Sequence, residues 1–177
     1  MSHVLALDLG TTNFKAAVVD PQGRTIALTR LSTPTRTAGP GRFEMTTDDL
    51  LATIRALVGR ALEAAGTASE AIDAICFASQ ANTFLLMDAR DRPLTPLILW
   101  NDRRADEHLP GLDRLRELPD RAHHTGNPCL APEHMIAKLA WLREHDPTAV
   151  RDAARICTIS SFLNHWLTGR HVDEASL

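Results

Sequence analysis

Two apolar runs, Val4 to Leu7 and Phe14 to Val19, flank the six residues Asp8-Leu9-Gly10-Thr11-Thr12-Asn13. This pattern confines the start of the chain to two strands joined by a tight reversal. Gly10 and Asn13 are the residue types that tolerate φ > 0, which is how so short a turn is expected to close. The turn offers several backbone N–H groups and the hydroxyls of Thr11 and Thr12 to one small volume, with the Asp8 carboxylate at its entrance. Such a donor set suits an anion beside a divalent cation, phosphate and Mg2+ being the obvious pair. The same residues also make an ordinary hairpin with a polar turn, so the remaining sequence has to decide.

Composition excludes several classes. A length of 177 residues with 44% hydrophobic composition suits one sizeable domain, burying about 70% of its unfolded surface. The net charge of −3, from 19 basic and 22 acidic residues, comes without a basic block, which argues against nucleic acid as a partner. No stretch reaches the ~20 apolar residues that span a bilayer, and no secretory leader is evident, so a cytoplasmic location with no membrane contact is expected. Cys76, Cys129 and Cys157 are odd in number and widely spaced, the pattern of reduced and mostly buried thiols. His123, His124, Cys129 and His134 match no zinc-ligand spacing.

Further along, Asp20-Pro21-Gln22-Gly23 reads as a turn and Thr25 to Ser32 as a third strand, completing an antiparallel meander. Pro34 to Arg42 reads as a loop. Thr46-Thr47-Asp48-Asp49 is a helix-capping signal, after which Leu50, Leu51, Ile54, Leu57, Val58, Ala61, Leu62 and Ala65 share one helical face and Gly66 ends the helix. Ile72 to Ala78 is a fourth strand, expected to run parallel to the first and to lie centrally in a mixed sheet. Thr83 to Asp88 and Leu97 to Trp100 read as hairpin arms. The remainder reads as helical: Glu107 to Leu118, Pro132 to His145 with Ile136, Leu139 and Ala140 on its apolar face, and Ser160 to Leu167 stopped by Gly169. Arg155 to Thr158 reads as a short strand.

Two more polar clusters stand at strand ends. Gln80, Ala81 and Asn82 follow the fourth strand, where open α/β sheets place ligand groups. Trp100-Asn101-Asp102-Arg103-Arg104 follows the second hairpin arm. An aromatic face with a carboxylate and amides serves polyhydroxy ligands, the ring against C–H faces and the polar groups on hydroxyls. The first cluster reads equally as a polar loop, and the second as a half-buried Trp beside a helix-start ion pair.

Taken together, the chain resembles the N-terminal part of the FGGY family of carbohydrate kinases, in the actin, hexokinase and heat-shock chaperone superfamily. The resemblance rests on Asp8-x-Gly10-Thr11-Thr12 with Lys15, Gln80, Leu86-x-Asp88 and Ile98-Leu99-Trp100-Asn101-Asp102-x-Arg104. It continues in Thr125-Gly126-Asn127-Pro128, Lys138-Leu139-x-Trp141-Leu142, Leu167-Thr168-Gly169 and Asp173-x-Ala175-Ser176. It implies an incomplete α/β domain of the ribonuclease H-like (actin/hexokinase-like ATPase) fold over residues 1–177, with a mixed central sheet flanked by helices. It implies ATP and Mg2+ as cofactors, with Asp8 orienting the metal and Gly10, Thr11, Thr12, Asn13 and Lys15 at the phosphates. Gln80, Ala81, Asn82, Trp100, Asp102 and Arg104 are implied to face a sugar or polyol.

The sequence also departs from the family. Xylulose kinases show Gln-Met-His-Gly and glycerol kinases Gln-Arg-Glu where this chain has Gln80-Ala81-Asn82-Thr83, while the Trp-Asn-Asp-x-Arg stretch leans towards a ketopentose. The resemblance places the general-base Asp beyond Leu177 and the adenosine site in a second, C-terminal kinase domain. A fragment without kinase activity of its own is therefore expected, and a homodimer is compatible with it. Two other classes compete: a non-catalytic sugar-binding or regulatory module, and a ribonuclease H-like nuclease. The nuclease would need further carboxylates around Asp8 and a basic groove, and the sequence offers neither.

Overall fold

A computed structural model describes residues 3–106, 112–113, 116–120, 122–123 and 129–173. They fall into two compact units, one holding residues up to Thr35 together with Thr46–Gln80, the other Arg36–Met45 with the chain from Ala81 onward.

In the first unit, strands β1 (His3–Leu9), β2 (Asn13–Val19) and β3 (Thr25–Ser32) form the expected meander. Leu5, Leu7 and Leu9 alternate with outward residues along β1, and Phe14, Ala16 and Val18 do so along β2, so each strand turns one face inward. Helix α1 (Thr47–Ala65) packs on β2 and β3 through Leu50, Ile54, Leu57 and Ala61. Its ends follow from the local chemistry. The Thr46 hydroxyl accepts from the Asp49 amide at 3.1 Å, and Gly66 closes the other end in the left-handed region at φ 60.

Strand β6 (Ile72–Ser79) pairs parallel to β1 as expected, but it is not central. The strand order is β3-β2-β1-β6, which puts β6 at an edge. Ile75 is 47% exposed, and Cys76 is exposed as well, as is Cys129; of the three free thiols only Cys157 is buried. The expectation of a covered central strand and mostly buried cysteines is thereby corrected. The apolar composition of β6 reports faces suited to burial, and no described element lies on its outer edge.

The β3-β2-β1-β6 sheet has the mixed direction expected, and the second unit holds a further sheet of its own. Its order is β4-β5-β8-β7-β9, comprising β4 (Arg36–Gly39), β5 (Arg42–Met45), β7 (Phe84–Met87), β8 (Leu97–Ile98) and β9 (Arg155–Thr158), each pair antiparallel. The stretch expected to be a loop at Pro34–Arg42 instead contains β4. Gly39 at φ 146 and Gly41 at φ 67 provide the tight reversal that pairs β4 with β5.

Helices α2 (Met135–His145), α3 (Pro147–Asp152) and α4 (Ile159–Thr168) complete the described unit. Helix α2 starts three residues after Pro132, and its buried face is Ala137, Lys138, Trp141 and Leu142, not the Ile136 face; Ile136 is 42% exposed. Pro147 opens α3 at a position where a missing N–H costs nothing. Phe84, Leu86, Ile98, Ala137, Trp141 and Leu142 form the heart of the core. The Thr125–Pro128 and Ala175–Ser176 motifs, His124 and Glu107–Pro110 lie outside the described residues. Among the described residues no helix is long and apolar enough to cross a membrane.

Candidate functional site

The first candidate site is built on the β1–β2 register, which sets Asp8 opposite Lys15. The Lys15 ammonium donates to Asp8 Oδ2 at 2.8 Å, with both side chains half-exposed. An ion pair so open to water contributes little to stability, so its chemistry remains accessible. Gly10 and Asn13 do not adopt the positive φ expected of them. What requires glycine is a close approach: a Cβ on Gly10 would sit 3.0 Å from the Asn13 carbonyl oxygen and 3.8 Å from Asp8 Oδ1. The Gly10 carbonyl in turn accepts from the Thr33 hydroxyl at 2.9 Å and from Gln80 Nε2 at 3.4 Å. Gln80, picked out as a separate cluster, thus touches the turn itself, and its backbone N–H donates to Leu9 O at 3.3 Å. Thr11 and Asn13 are half-buried and Thr12 is exposed.

The remaining expected residues belong to the second unit. Ala81 is exposed. Asn82 adopts φ 56, a conformation Asn tolerates, and its Oδ1 accepts from the Met135 amide at 3.2 Å, at the first turn of α2. Trp100 is 39% exposed, with its amide held by the Thr83 hydroxyl at 2.9 Å.

Asp102 is fully buried. Its carboxylate accepts from the Phe43 amide at 2.7 Å, the Arg104 amide at 2.9 Å, Arg104 Nε at 2.8 Å and Arg104 Nη2 at 3.0 Å. Those donors fill the four acceptor sites of a carboxylate, which leaves none for a ligand hydroxyl. Arg104 reaches Glu44 as well, at 2.6 Å, and lies over the Trp141 ring at 5.1 Å. Burial works against its charge, yet the bonds to Asp102 and Glu44 outweigh that and hold its pKa above the ordinary arginine value.

Sequence reasoning quoted Lys138 without giving it a role. The side chain is fully buried, and its Nζ donates to the carbonyls of Leu99 and Trp100, each at 2.7 Å. Burial lowers its pKa to about 8, with Asp102 opposing and Arg104 reinforcing that shift. Asn101 was passed over too, and its Oδ1 is buried without a partner among the described residues. The signal for Lys138 was a cationic residue inside an otherwise apolar run.

With this geometry in place, the comparison with known proteins is decisive. The FGGY family of carbohydrate kinases, N-terminal domain, matches residues 3–177. The chain belongs to the FGGY family. A glycerol kinase of Aromatoleum aromaticum is 35% identical over 185 residues, covering 99% of this chain and 36% of that protein. The L-xylulose/3-keto-L-gulonate kinase of Escherichia coli is 29% identical over 167 residues, covering 93% of this chain and 33% of its own length. Among solved structures, a xylulose kinase from Rhodospirillum rubrum superimposes with a TM-score of 0.81 at 26% identity, over 96% of this chain and 35% of that one. The FGGY chain therefore spans about a third of the length of the curated relatives it matches. Its fold is that of the actin/hexokinase-like sugar kinases, in part.

Proposed function

We propose that this chain supplies the phosphate-facing turn and the acceptor-facing residues of an ATP-dependent kinase that phosphorylates a hydroxyl of a small sugar or polyol. The observation that carries the reading is the convergence of Asp8, Lys15 and Gln80 on the Gly10 turn, where a carboxylate, an ammonium and a side-chain amide meet backbone that only glycine lets approach so closely.

The residues present fit Mg2+ and ATP phosphates. Asp8 is open enough to meet a hydrated cation, which takes oxygen ligands and keeps most of its water. The Gly10, Thr11, Thr12 and Asn13 backbone and hydroxyls would hold the phosphates, and Lys15 would add the positive charge that phosphoryl transfer requires. The bound cation would supply charge neutralisation. This chain's residues orient the phosphates and hold Lys15 in register through its pairing with Asp8.

On the acceptor side the reading assigns Gln80, Ala81, Asn82 and Trp100 to the ligand. Asp102 and Arg104, expected to face the ligand as well, are given a different part, shaping the loop that carries Trp100, because their polar groups are taken up by one another, by Glu44 and by the Phe43 amide. The Trp100-to-Arg104 stretch favours a ketopentose. A second reading, a glycerol-like polyol, is favoured by the 35% identity to a glycerol kinase. The general base is expected beyond Leu177, so the part proposed for this chain is binding and orientation.

The test is calorimetric titration of the chain with Mg2+-ATP and with xylulose, glycerol and gluconate, beside Gln80→Ala and Asp8→Ala. The expected result is that one acceptor class binds and weakens in Gln80→Ala, while Asp8→Ala weakens only Mg2+-ATP. Equal binding of every ligand to all three proteins would sink the proposal. Turnover by the isolated chain in a coupled ADP-release assay would overturn the assignment of the base elsewhere.

A further inference from the structure

Away from the Gly10 turn and from Trp100, the β7–β8 connection and the end of α4 bring together Asp91, His165 and His171. Their ligand atoms all lie within 4.8 Å of one another, the one such grouping of His, Cys, Asp or Glu found among the described residues. We propose that these three side chains form a binding site for a divalent transition-metal cation of the zinc type. The proposal is independent of the kinase reading.

The local backbone builds the cluster. Asp91 occupies the turn after β7 at φ 58, where its amide donates to Asp88 O at 3.2 Å. His165 stands in the last turn of α4, and Gly169 at φ 72 reverses the chain after it. That reversal returns His171 onto His165, with ring centroids 3.9 Å apart and planes 8° from parallel. The returning segment is pinned by Asn164 Nδ2 on Val172 O at 3.2 Å and by the Thr158 hydroxyl on Asp173 at 3.0 Å.

Both imidazoles present Nε2 to the same carboxylate, His171 at 3.0 Å from Asp91 Oδ1 and His165 at 3.5 Å from Oδ2. With the His171 ring turned out of its stack on His165, two neutral imidazole nitrogens and one carboxylate oxygen make a three-ligand set that leaves a fourth tetrahedral position for water, with ligand distances of about 2.0–2.2 Å. Arg155 Nη1 donates to Asp91 Oδ1 at 2.9 Å, which leaves Oδ2 to the metal and fixes the carboxylate plane. His165 Nδ1 is buried without a partner among the described residues, and its Nε2 is the nitrogen turned towards Asp91. The side chains are 24–32% exposed, enough for a cation to enter from water. Occupation would clip the segment after Gly169 to the hairpin turn.

The experiment titrates the metal-free 177-residue chain with Co2+ and with Zn2+, following visible absorption, calorimetry and the thermal midpoint, beside His171→Ala and His165→Ala. His171 is on the surface, so its replacement leaves the fold intact. Expected are one equivalent of Co2+ with a tetrahedral d–d spectrum and no thiolate charge-transfer band, a midpoint that rises with metal concentration, and about tenfold or greater loss of affinity in each variant. Binding to His171→Ala as tight as to the parent would overturn the site. A thiolate charge-transfer band would do so as well, because it would place the metal on Cys76 or Cys129. Failure of Co2+ and Zn2+ to saturate the parent would equally refute it.

Discussion

Lys138 on helix α2 holds the backbone of Trp100, its Nζ 2.7 Å from the Trp100 carbonyl oxygen and 2.7 Å from that of Leu99. A fully buried ammonium is thus spent on fixing the residue offered as a ring platform. Replacing it by an apolar side chain of similar length, Lys138→Met, keeps the packing but strips donors from the two carbonyls. A carbonyl left buried and unpaired costs about 1–3 kcal/mol. Urea unfolding should show that loss in the second unit, and the fluorescence anisotropy of Trp100 should fall as its loop loosens. Unchanged anisotropy would show that Lys138 does not position the ring.

The same lysine imposes a pH dependence. In the folded chain its pKa is about 8, against an ordinary value of 10.5. Below pH 8 both folded and unfolded states carry the proton, and the folded state bears the full cost of burying the charge. Between pH 8 and 10.5 the unfolded chain binds more protons, so stability rises with pH. The difference in unfolding free energy between the parent and Lys138→Met should therefore widen across that window, by up to about 3 kcal/mol. Cys157 acts in the opposite direction, since burial raises its pKa and its unfolded thiol ionises first. Comparison with Lys138→Met in a Cys157→Ala background separates the two.

Much of the first unit was legible because its signals are local. Apolar runs, Thr46 and Gly66 fix β1 to β3 and α1 through periodicity and capping, which need no distant partner. The second sheet was not legible at Arg36–Met45. Short strands joined by a glycine reversal resemble a loop, and only pairing with β8, some fifty residues on, makes them strands. The turn residues were found from side-chain chemistry, but the reason for Gly10 was not, because a close approach to Asn13 is invisible in sequence. Asp91, His165 and His171 share no motif spacing and meet only through the fold.

Asp102 and Arg104 make a buried, multiply hydrogen-bonded pair in the second unit. Removal of the carboxylate in Asp102→Ala leaves a buried guanidinium with Glu44 as its remaining anion and the Phe43 amide without its acceptor. Breaking a buried pair in this way costs roughly 3–5 kcal/mol. Denaturant unfolding should show that loss, and Asp102→Asn, which keeps an acceptor oxygen, should lose less. A loss below about 1 kcal/mol would mean that the pair is solvated, as surface pairs are.

Thiol reactivity should sort the cysteines by burial. Cys76 on the edge strand and Cys129 are exposed, whereas Cys157 on β9 is 2% exposed with its pKa raised by burial. An aromatic disulfide reagent at pH 8 should titrate two thiols promptly in the native chain and the third only after denaturation. Slow reaction of Cys76 would show that the outer face of β6 is covered in solution, for instance by a second copy of the chain.

Gly10 and Gly59 offer a matched contrast. Neither has positive φ, and no atom lies within 4 Å of a Cβ built on Gly59 in helix α1, so Gly59→Ala should stabilise by about 0.5–1 kcal/mol. Gly10→Ala gains the same restriction of the unfolded chain but drives its Cβ to 3.0 Å from the Asn13 carbonyl. That oxygen cannot retreat easily, because Asn13 is paired with Ser32 and the next residue, Phe14, is fully buried. The clash should outweigh the entropic gain, for a net loss on the order of 1–2 kcal/mol. Urea unfolding of both variants checks the signs. Faster amide exchange at residues 10–13 in Gly10→Ala alone would place the damage in the turn, and equal stabilisation by both substitutions would remove the argument that this turn demands glycine.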